Sequence, residues 1–457
     1  MRFVRRWWIL LPLLAVAPGC FFLPAEFGKE AQERAHVEST RHAAPSPLSS
    51  LTAPASWAEL LQLGWHQNGS VEAAYQEWVA ALDRVRNAAA YPNTNLHLGL
   101  DYAVGRGGDP AGRTGISLGN DPMLNLSLPV KVSAAAEAAL AEARAARERW
   151  RRARLELQEE VLRRYFAWAG LEHQRRLQEE RVRWLQLREA SLRAQYAAQG
   201  GSEQMELLRA QRERLEGEDL LARYGAQASA AQRELNALVG RPADAPLAAP
   251  ESLMGRPWSL SEQELRERLA QASPPLGERR ADLQARQAQL RLARLQFLPD
   301  LNPMLALSGM GFEAIGGALV LPLTWRKLAA ALDEARALLA QSEAALAQEE
   351  RDQQGQAGAT WKLLQDAERQ LRLWENGILP AARLEVSSAQ AAYRSGREPL
   401  AKWAEAESAR LALEQAQIEL RVLREELLAR LEALVGLEAL PSAADPTQPQ
   451  EDPHAPS

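Results

Sequence analysis

The segment LNALVG at residues 235–240 recurs as LEALVG at residues 431–436, which lies 196 residues later in the chain. In both copies Leu and Val residues recur at helical spacing and a glycine follows them, the pattern of a helix that ends in a left-handed glycine cap. A repeat at this distance indicates that one structural unit is written twice.

Three further pairs of landmarks occur in the same order in both halves of the sequence. They are Tyr91-Pro92-Asn93 with Leu298-Pro299-Asp300, Leu128-Pro129-Val130 with Leu321-Pro322-Leu323, and Gly200 with Gly396, the last pair again 196 residues apart. We therefore divide the body of the chain into a first repeat at residues 56–250 and a second repeat at residues 251–440.

Each repeat contains a very long stretch of strong helix formers. Residues 133–199 include no proline and only one glycine, Gly170, while Ala, Leu, Glu, Arg and Gln dominate. At about 1.5 Å per residue this predicts a helix on the order of 100 Å long. The second repeat has a similar stretch at about residues 327–395, interrupted at Pro380. Apolar residues at every third or fourth position predict coiled-coil packing.

Alternating apolar and polar residues predict one β-hairpin in each repeat. The first hairpin lies at about residues 94–130, where apolar residues at the even positions 96–104 alternate with polar ones. The second lies at about residues 301–325, with a turn near residues 316–317. A soluble hairpin packed on the helices is the alternative to a membrane-spanning one.

Four strands per chain are too few to close a membrane barrel, because small barrels need about eight. An open sheet edge in lipid leaves backbone groups unpaired, at several kcal/mol each. If the strands span a membrane, the protein is therefore an oligomer, with eight strands from two chains or twelve from three.

The N-terminus has the parts of an export signal peptide at residues 1–19. Arg2, Arg5 and Arg6 precede a short apolar stretch, and Ala17-Pro18-Gly19-Cys20 resembles a lipobox. Cys20 is the only cysteine, so we expect it to be acylated, with palmitate among its chains, rather than paired in a disulfide. Residues 20–55 are predicted to be a lipidated N-terminus and linker, and residues 441–457 a disordered tail.

The composition excludes several classes of function. A net charge of -5 gives no electrostatic support for nucleic-acid binding. No stretch after the signal is long and apolar enough for a transmembrane helix. The six histidines are isolated from one another, and no motif for catalysis, a cofactor or a metal is present. We therefore expect the protein not to be an enzyme.

In their order and duplication, these features resemble the TolC-like outer-membrane efflux protein family over roughly residues 56–440. The resemblance is carried by the lipobox-like segment, by Tyr91-Pro92-Asn93, by Ile378-Leu379-Pro380 before Tyr393-Arg394-Ser395-Gly396, and by the paired helix ends. It implies a mainly α fold with a β part. Long coiled-coil helices form a periplasmic α-barrel, and the four strands of each chain close a trimeric, twelve-stranded β-barrel in the outer membrane of a Gram-negative bacterium.

The resemblance also implies roles for particular residues. The helical turns that contact a periplasmic adaptor would contain Tyr196, Gly200, Gly201, Tyr393, Gly396 and Arg397. A constriction behind the second turn would involve Lys402 and Glu405, although the family often has Asp at the position of Lys402. The polar strand face makes Asn95, His97, Asp101, Asn125 and Ser127 candidates for the lumen of the barrel.

The function that these expectations favour is a passive outer-membrane duct for efflux or type I secretion. A homotrimer, anchored in lipid, would be opened by a periplasmic adaptor, with energy from an inner-membrane RND pump or ABC transporter. Two alternatives remain: a periplasmic coiled-coil structural lipoprotein that conducts nothing, and a trimeric scaffold that binds an adaptor but passes no current.

Overall fold

The computed structural model describes residues 22–42, 56–90, 96–103, 113–120, 127–199, 204–248, 253, 255–308 and 311–439. The chain divides into two compact units. Unit one is drawn from residues 1–43, 74–150 and 275–350, and unit two from residues 44–73, 151–274 and 351–457. Each unit thus takes segments from both sequence repeats, so neither repeat forms a compact unit by itself.

Helices make up most of the described residues. They are α1 (Phe27–His42), α2 (Trp57–Gln67), α3 (Gly69–Ala89), α4 (Pro129–Gln199), α5 (Gln204–Leu238), α6 (Glu262–Ala272), α7 (Pro274–Leu295), α8 (Trp325–Leu373), α9 (Leu379–Arg394) and α10 (Leu400–Leu434). The predicted helix at residues 133–199 is confirmed by α4, which is 71 residues long. None of the helices in the described ranges is long and apolar enough to cross a membrane.

Unit one contains a single antiparallel sheet built from both predicted hairpins. Its strands are β1 (Leu96–Ala103), β2 (Arg113–Asn120), β3 (Asp300–Ser308) and β4 (Gly311–Val320), and they pair in the order β1-β2-β3-β4. Only three residue pairs join the two hairpins, through β2 and β3, whereas each hairpin is paired along almost its whole length. Within the described sheet, β1 and β4 are therefore the edge strands.

The predicted turn of the second hairpin is wrong. Gly316 and Gly317 lie inside β4, opposite Met304 and Pro303, and the first strand of the hairpin ends at Ser308. The ladder continues past both glycines with one irregularity, between Ala306 and Leu307. Pairing along the whole strand has outweighed the local preference of glycine for turns, and a glycine inside a strand still makes its backbone hydrogen bonds to the partner strand.

The strand ends also differ from the sequence prediction. β2 ends at Asn120, and α4 already begins at Pro129, so Val130 is helical rather than the last strand residue. Proline is favoured in the first turn of a helix because its missing N–H group has no partner there anyway. In the second hairpin, Trp325 likewise begins α8 instead of closing β4.

Part of the predicted linker is a helix. Within residues 20–55, α1 is joined to α4 of unit one by ion pairs, with Phe27 as a buried apolar residue at its start. Arg147 Nη1 lies 3.1 Å from Glu30 and 2.7 Å from Glu33, and Arg144 Nε lies 3.2 Å from Glu30. Apolar periodicity does not indicate this helix because most of its buried contacts are ion pairs.

The glycine caps predicted at the two repeat ends are confirmed. Gly240 and Gly436 have φ values of +80° and +69°, which L side chains rarely adopt. The N–H group after each glycine donates to a carbonyl five residues back, Arg241 to Asn236 at 2.8 Å and Leu437 to Glu432 at 2.9 Å. Both helices thus end in the same Schellman cap.

The interruption predicted at Pro380 takes the form of a π-helix. α8 ends at Leu373, a five-residue π-helix (Trp374–Ile378) follows, and Pro380 lies in the first turn of α9. Proline has no N–H group to donate to the preceding turn, and the wider π turn accommodates it without ending the helix.

Gly170 is explained by close packing in unit two rather than by a helix break. A Cβ atom at this position would lie 2.6 Å from Cγ2 of Val422 in α10, a distance that real Cβ atoms do not show. The glycine therefore allows α4 and α10 to approach each other closely.

Replacing Gly170 by alanine is expected to lower the free energy of unfolding by about 1–3 kcal/mol, because overpacking outweighs the better helix propensity of alanine. Gly225→Ala in α5 is the matched control, since only Arg175 Cδ lies near it, at 4.0 Å. Val422→Ala in the Gly170→Ala background is expected to recover much of the loss. Chemical unfolding in detergent measures all three, and equal stability of the two single variants would contradict this account of the packing.

Candidate functional site

The turn between α9 and α10, at residues 395–399, is the best-defined functional candidate in unit two. Gly396 has a φ of +70°, and its N–H group donates to Tyr393 O at 2.9 Å, while Arg397 N donates to Ala392 O at 2.9 Å. Arg397 Nε also donates to Ser395 Oγ at 2.9 Å. Backbone and side-chain hydrogen bonds together hold a tight helical reversal for which glycine is the suitable residue.

Three aromatic side chains support this turn. The Trp403 ring lies 5.7 Å from the Tyr393 ring and 5.0 Å from the ring of Trp184 in α4. We call Trp184, Tyr393 and Trp403 the aromatic cluster. It joins both sides of the turn to the long helix of the first repeat. The sequence analysis missed Trp403 and Trp184; the only signal was a tryptophan in the first turns of the helix that follows the glycine.

Lys402 and Glu405, the candidate constriction residues, pair with each other. Lys402 Nζ lies 3.2 Å from Glu405 Oε2, three residues apart on α10, and both side chains are more than half exposed. Such an exposed pair contributes little to stability. Within one chain, each of these charges is balanced by the other.

The first predicted turn is described only in part. Tyr196 is half-buried near the end of α4, whereas Gly200 and Gly201 lie outside the described residues. Ion pairs hold α4 and α5 together next to it: the buried Glu189 lies 2.6 Å from Arg214 Nε and 2.5 Å from Arg193 Nη2. Both helical hairpins are therefore fastened close to their turns, the first by charges and the second by aromatic rings.

Between the two hairpins, Gln178 links three helices. Its side chain is fully buried, and its Nε2 donates to Gly217 O of α5 at 2.9 Å. Its Oε1 accepts a hydrogen bond from Gln415 Nε2 of α10 at 3.0 Å. Arg181 Nε donates to Ser408 Oγ one turn closer to the aromatic cluster, at 3.0 Å. The contact between α4 and α10 is thus polar as well as apolar, and polar partners in a coiled-coil core fix its register.

A buried ionic group lies at the opposite end of α10. Arg256 Nε lies 3.0 Å from Glu425 and Arg256 Nη1 lies 2.7 Å from Glu432, with all three side chains almost fully buried. Burial raises the pKa of Glu432 above its ordinary value, although the attraction of Arg256 opposes this shift. Gln158 Nε2 also donates to Leu437 O at 3.0 Å, which ties the cap of α10 to α4.

A cavity of about 490 Å³ adjoins this ionic group. Glu375 of the π-helix reaches its rim, and Arg421 of α10 lies 3.1 Å from that carboxylate. Positive and negative side chains are equally represented in its lining, so the cavity shows no charge preference for a ligand.

The lumen candidates are distributed over the sheet and its base. His97 and Asp101 lie in β1, paired with Gly119 and Gly115 of β2. Ser127 is half-buried before α4 and lines a cavity with Lys131 and Asp300. Asn95 and Asn125 lie outside the described residues, as does Cys20. In the part of the chain that is described, no three His, Cys, Asp or Glu side chains are grouped to hold a metal ion.

Comparison with protein families gives one match. The family model described as outer membrane efflux protein matches residues 60–241, which lie within the first sequence repeat. No curated protein sequence matches this chain.

Solved structures share the fold over most of the chain. CusC, whose crystal structures describe conformational changes accompanying folding and transmembrane channel formation, is 19% identical at a TM-score of 0.67, with 86% of this chain and 95% of CusC covered. The outer membrane protein VceC of Vibrio cholerae is 18% identical at a TM-score of 0.66, covering 83% and 96%. The open state of the Neisseria gonorrhoeae outer membrane channel MtrE is 18% identical at 0.67, covering 83% and 89%. At these identities the likeness shows the fold.

Proposed function

We propose that this chain, whose residues 60–241 match the outer membrane efflux protein family, is the outer-membrane exit duct of an efflux or type I secretion system. The family match carries the proposal. It is supported by a fold shared with outer-membrane channels over 83% to 86% of the chain. Conduction is passive in this proposal, and an inner-membrane RND pump or ABC transporter supplies the energy.

The assembly we propose is a homotrimer. One chain has four strands in a single sheet with β1 and β4 at its edges, and three copies supply twelve strands for a closed barrel in the outer membrane. Asn95, His97, Asp101, Asn125 and Ser127 are the residues we assign to its lumen. Acylation at Cys20 anchors each chain in lipid.

The helical turns are the end that we assign to a periplasmic adaptor protein. Tyr196, Gly200 and Gly201 belong to the first turn, and Tyr393, Gly396 and Arg397 to the second. The adaptor opens the duct by separating the second hairpin from α4, and Lys402 and Glu405 line the constriction behind it. The support for this opening is local: an aromatic pair and a side-chain hydrogen bond hold this hairpin to α4, and separating the two would break both contacts.

Deleting Gly200, Gly201 and Gly396 is expected to abolish export while trimers still form, because a tight helical reversal needs glycine and the strands belong to the other compact unit. Gly396→Asn is the matched control, since asparagine tolerates positive φ and is expected to keep export. Export by cells that contain the matching pump and native mass spectrometry of the purified protein are the two measurements. Normal export by the deletion variant would overturn the role of the turns.

Current through planar bilayers separates a duct from the two non-conducting alternatives. The wild-type trimer is expected to pass current, at least after its turns are truncated. A trimer that inserts into the bilayer and stays silent after truncation would favour an adaptor-binding scaffold, and a chain that never inserts would favour a periplasmic coiled-coil lipoprotein.

A further inference from the structure

Large apolar side chains are exposed in the segments of unit one that connect its strands to its helices. The exposed fractions are 50% for Val130, 41% for Leu298, 59% for Leu321, 76% for Leu323 and 58% for Trp325. We call these five residues the apolar collar. Exposure of so many large side chains in one region marks a surface that another apolar phase or molecule covers.

Two contacts show that the segments of the collar are neighbours. Lys131 Nζ donates to Leu298 O at 2.8 Å, which places the start of α4 next to the start of β3. The rings of Phe297 and Trp325 lie 6.2 Å apart, which places the end of α7 next to the start of α8. The collar therefore follows the base of the sheet.

The charge around the collar is positive in a chain that is negative overall. Residues 127–132, 294–300 and 319–328 contain four basic side chains and one acidic side chain, although the net charge of the chain is -5. The acidic one, Asp300, already lies 2.7 Å from Lys131 Nζ. Arg294, Arg326 and Lys327 are exposed and make no ion pair with any residue that the structure describes, so solvent and molecules in it can reach them.

We propose that the collar binds anionic phospholipid headgroups, those of phosphatidylglycerol, at the periplasmic surface of the outer membrane. In this arrangement Trp325 lies at the level of the headgroups, and the leucines of the collar lie deeper, among the acyl chains. Arg326 and Lys327 contact the lipid phosphates. Aromatic residues are enriched at this depth of membranes, and nearby basic residues favour anionic lipid. The inference rests on the proposed function, which places the sheet in the membrane.

The test uses the full-length protein reconstituted in vesicles of phosphatidylcholine with phosphatidylglycerol. Competition between the two lipids is followed by native mass spectrometry of the retained molecules. Each basic residue near the membrane surface contributes about 1 kcal/mol to the binding of anionic lipid. The double variant Arg326→Gln with Lys327→Gln is therefore expected to lower the preference for phosphatidylglycerol about 30-fold. Arg209→Gln with Arg212→Gln on α5 of unit two removes the same charge and is expected to leave the preference unchanged.

Trp325→Phe supplies a second readout. Brominated phosphatidylglycerol is expected to quench the tryptophan fluorescence of the wild type more than that of Trp325→Phe. An unchanged lipid preference in the Arg326 and Lys327 variant, or a change in its trimer content alone, would overturn the proposal. A protein that does not enter vesicles at all overturns the proposed function instead, and flotation of the vesicles distinguishes that result.

Discussion

Arg256→Ala is expected to lower the free energy of unfolding by about 3–5 kcal/mol, because it leaves the buried carboxylate of Glu432 without a cation and that of Glu425 with Arg424 alone. Arg266→Ala is the matched control. Its own side chain is well exposed and its partner Glu262 keeps Lys362 at 3.5 Å, so the expected change is within about 0.5 kcal/mol. Urea unfolding of the purified protein in detergent measures both.

The loss in Arg256→Ala is expected to shrink as the pH falls. Burial raises the pKa of Glu432, and removing Arg256 removes the attraction that opposes this shift. The folded variant therefore binds a proton at a pH where the unfolded chain does not, and folding gains stability as the pH drops through the raised pKa toward the ordinary value. A deficit that is the same at neutral and mildly acidic pH would contradict this account, and Glu432→Gln in the same background is expected to recover part of the loss.

Trp403→Ala is expected to open the proposed duct without an adaptor. It removes the aromatic contacts of Trp403 with Tyr393 and Trp184, which hold the second turn to α4. Two aromatic pairs contribute on the order of 2 kcal/mol together, so the ratio of open to closed states is expected to rise about 30-fold. Single-channel recording in planar bilayers measures the open fraction.

Trp403→Phe and Leu423→Ala are the controls for this experiment. Phenylalanine keeps a ring in the aromatic cluster, and Leu423 is an exposed residue of the same helix away from it. Both are expected to gate as the wild type does. If Trp403→Ala forms normal trimers with an unchanged open fraction, the aromatic cluster is not what keeps the turn closed.

The sequence predicted well those elements whose signal is local. Proline-free runs of helix formers predicted α4. Glycines after apolar helix ends predicted the caps at Gly240 and Gly436, because few residues other than glycine adopt a positive φ. The number of strands also followed from alternation. The turn assigned to Gly316 and Gly317 was wrong, since those glycines are held inside β4 by pairing with β3.

The candidate site was predicted less completely. The resemblance to the efflux family pointed to Tyr393, Gly396 and Arg397 as a helical turn, but the sequence gave no reason to connect Trp184 with Trp403, which are 219 positions apart in the chain. Helix α1 was missed for a related reason. Its glutamates gain their role only from Arg144 and Arg147, and ion pairs between distant segments leave no periodicity.

The sequence by itself determined that one unit is written twice, where its long helices end, and that it contributes two hairpins. Only the tertiary structure decided that both hairpins share one sheet and that each compact unit draws on both repeats. It also decided that α10 packs closely against α4 at Gly170. Helix propensity and caps act between residues a few positions apart, so they are readable along the chain. Pairing and packing act between residues that become neighbours only when the chain folds.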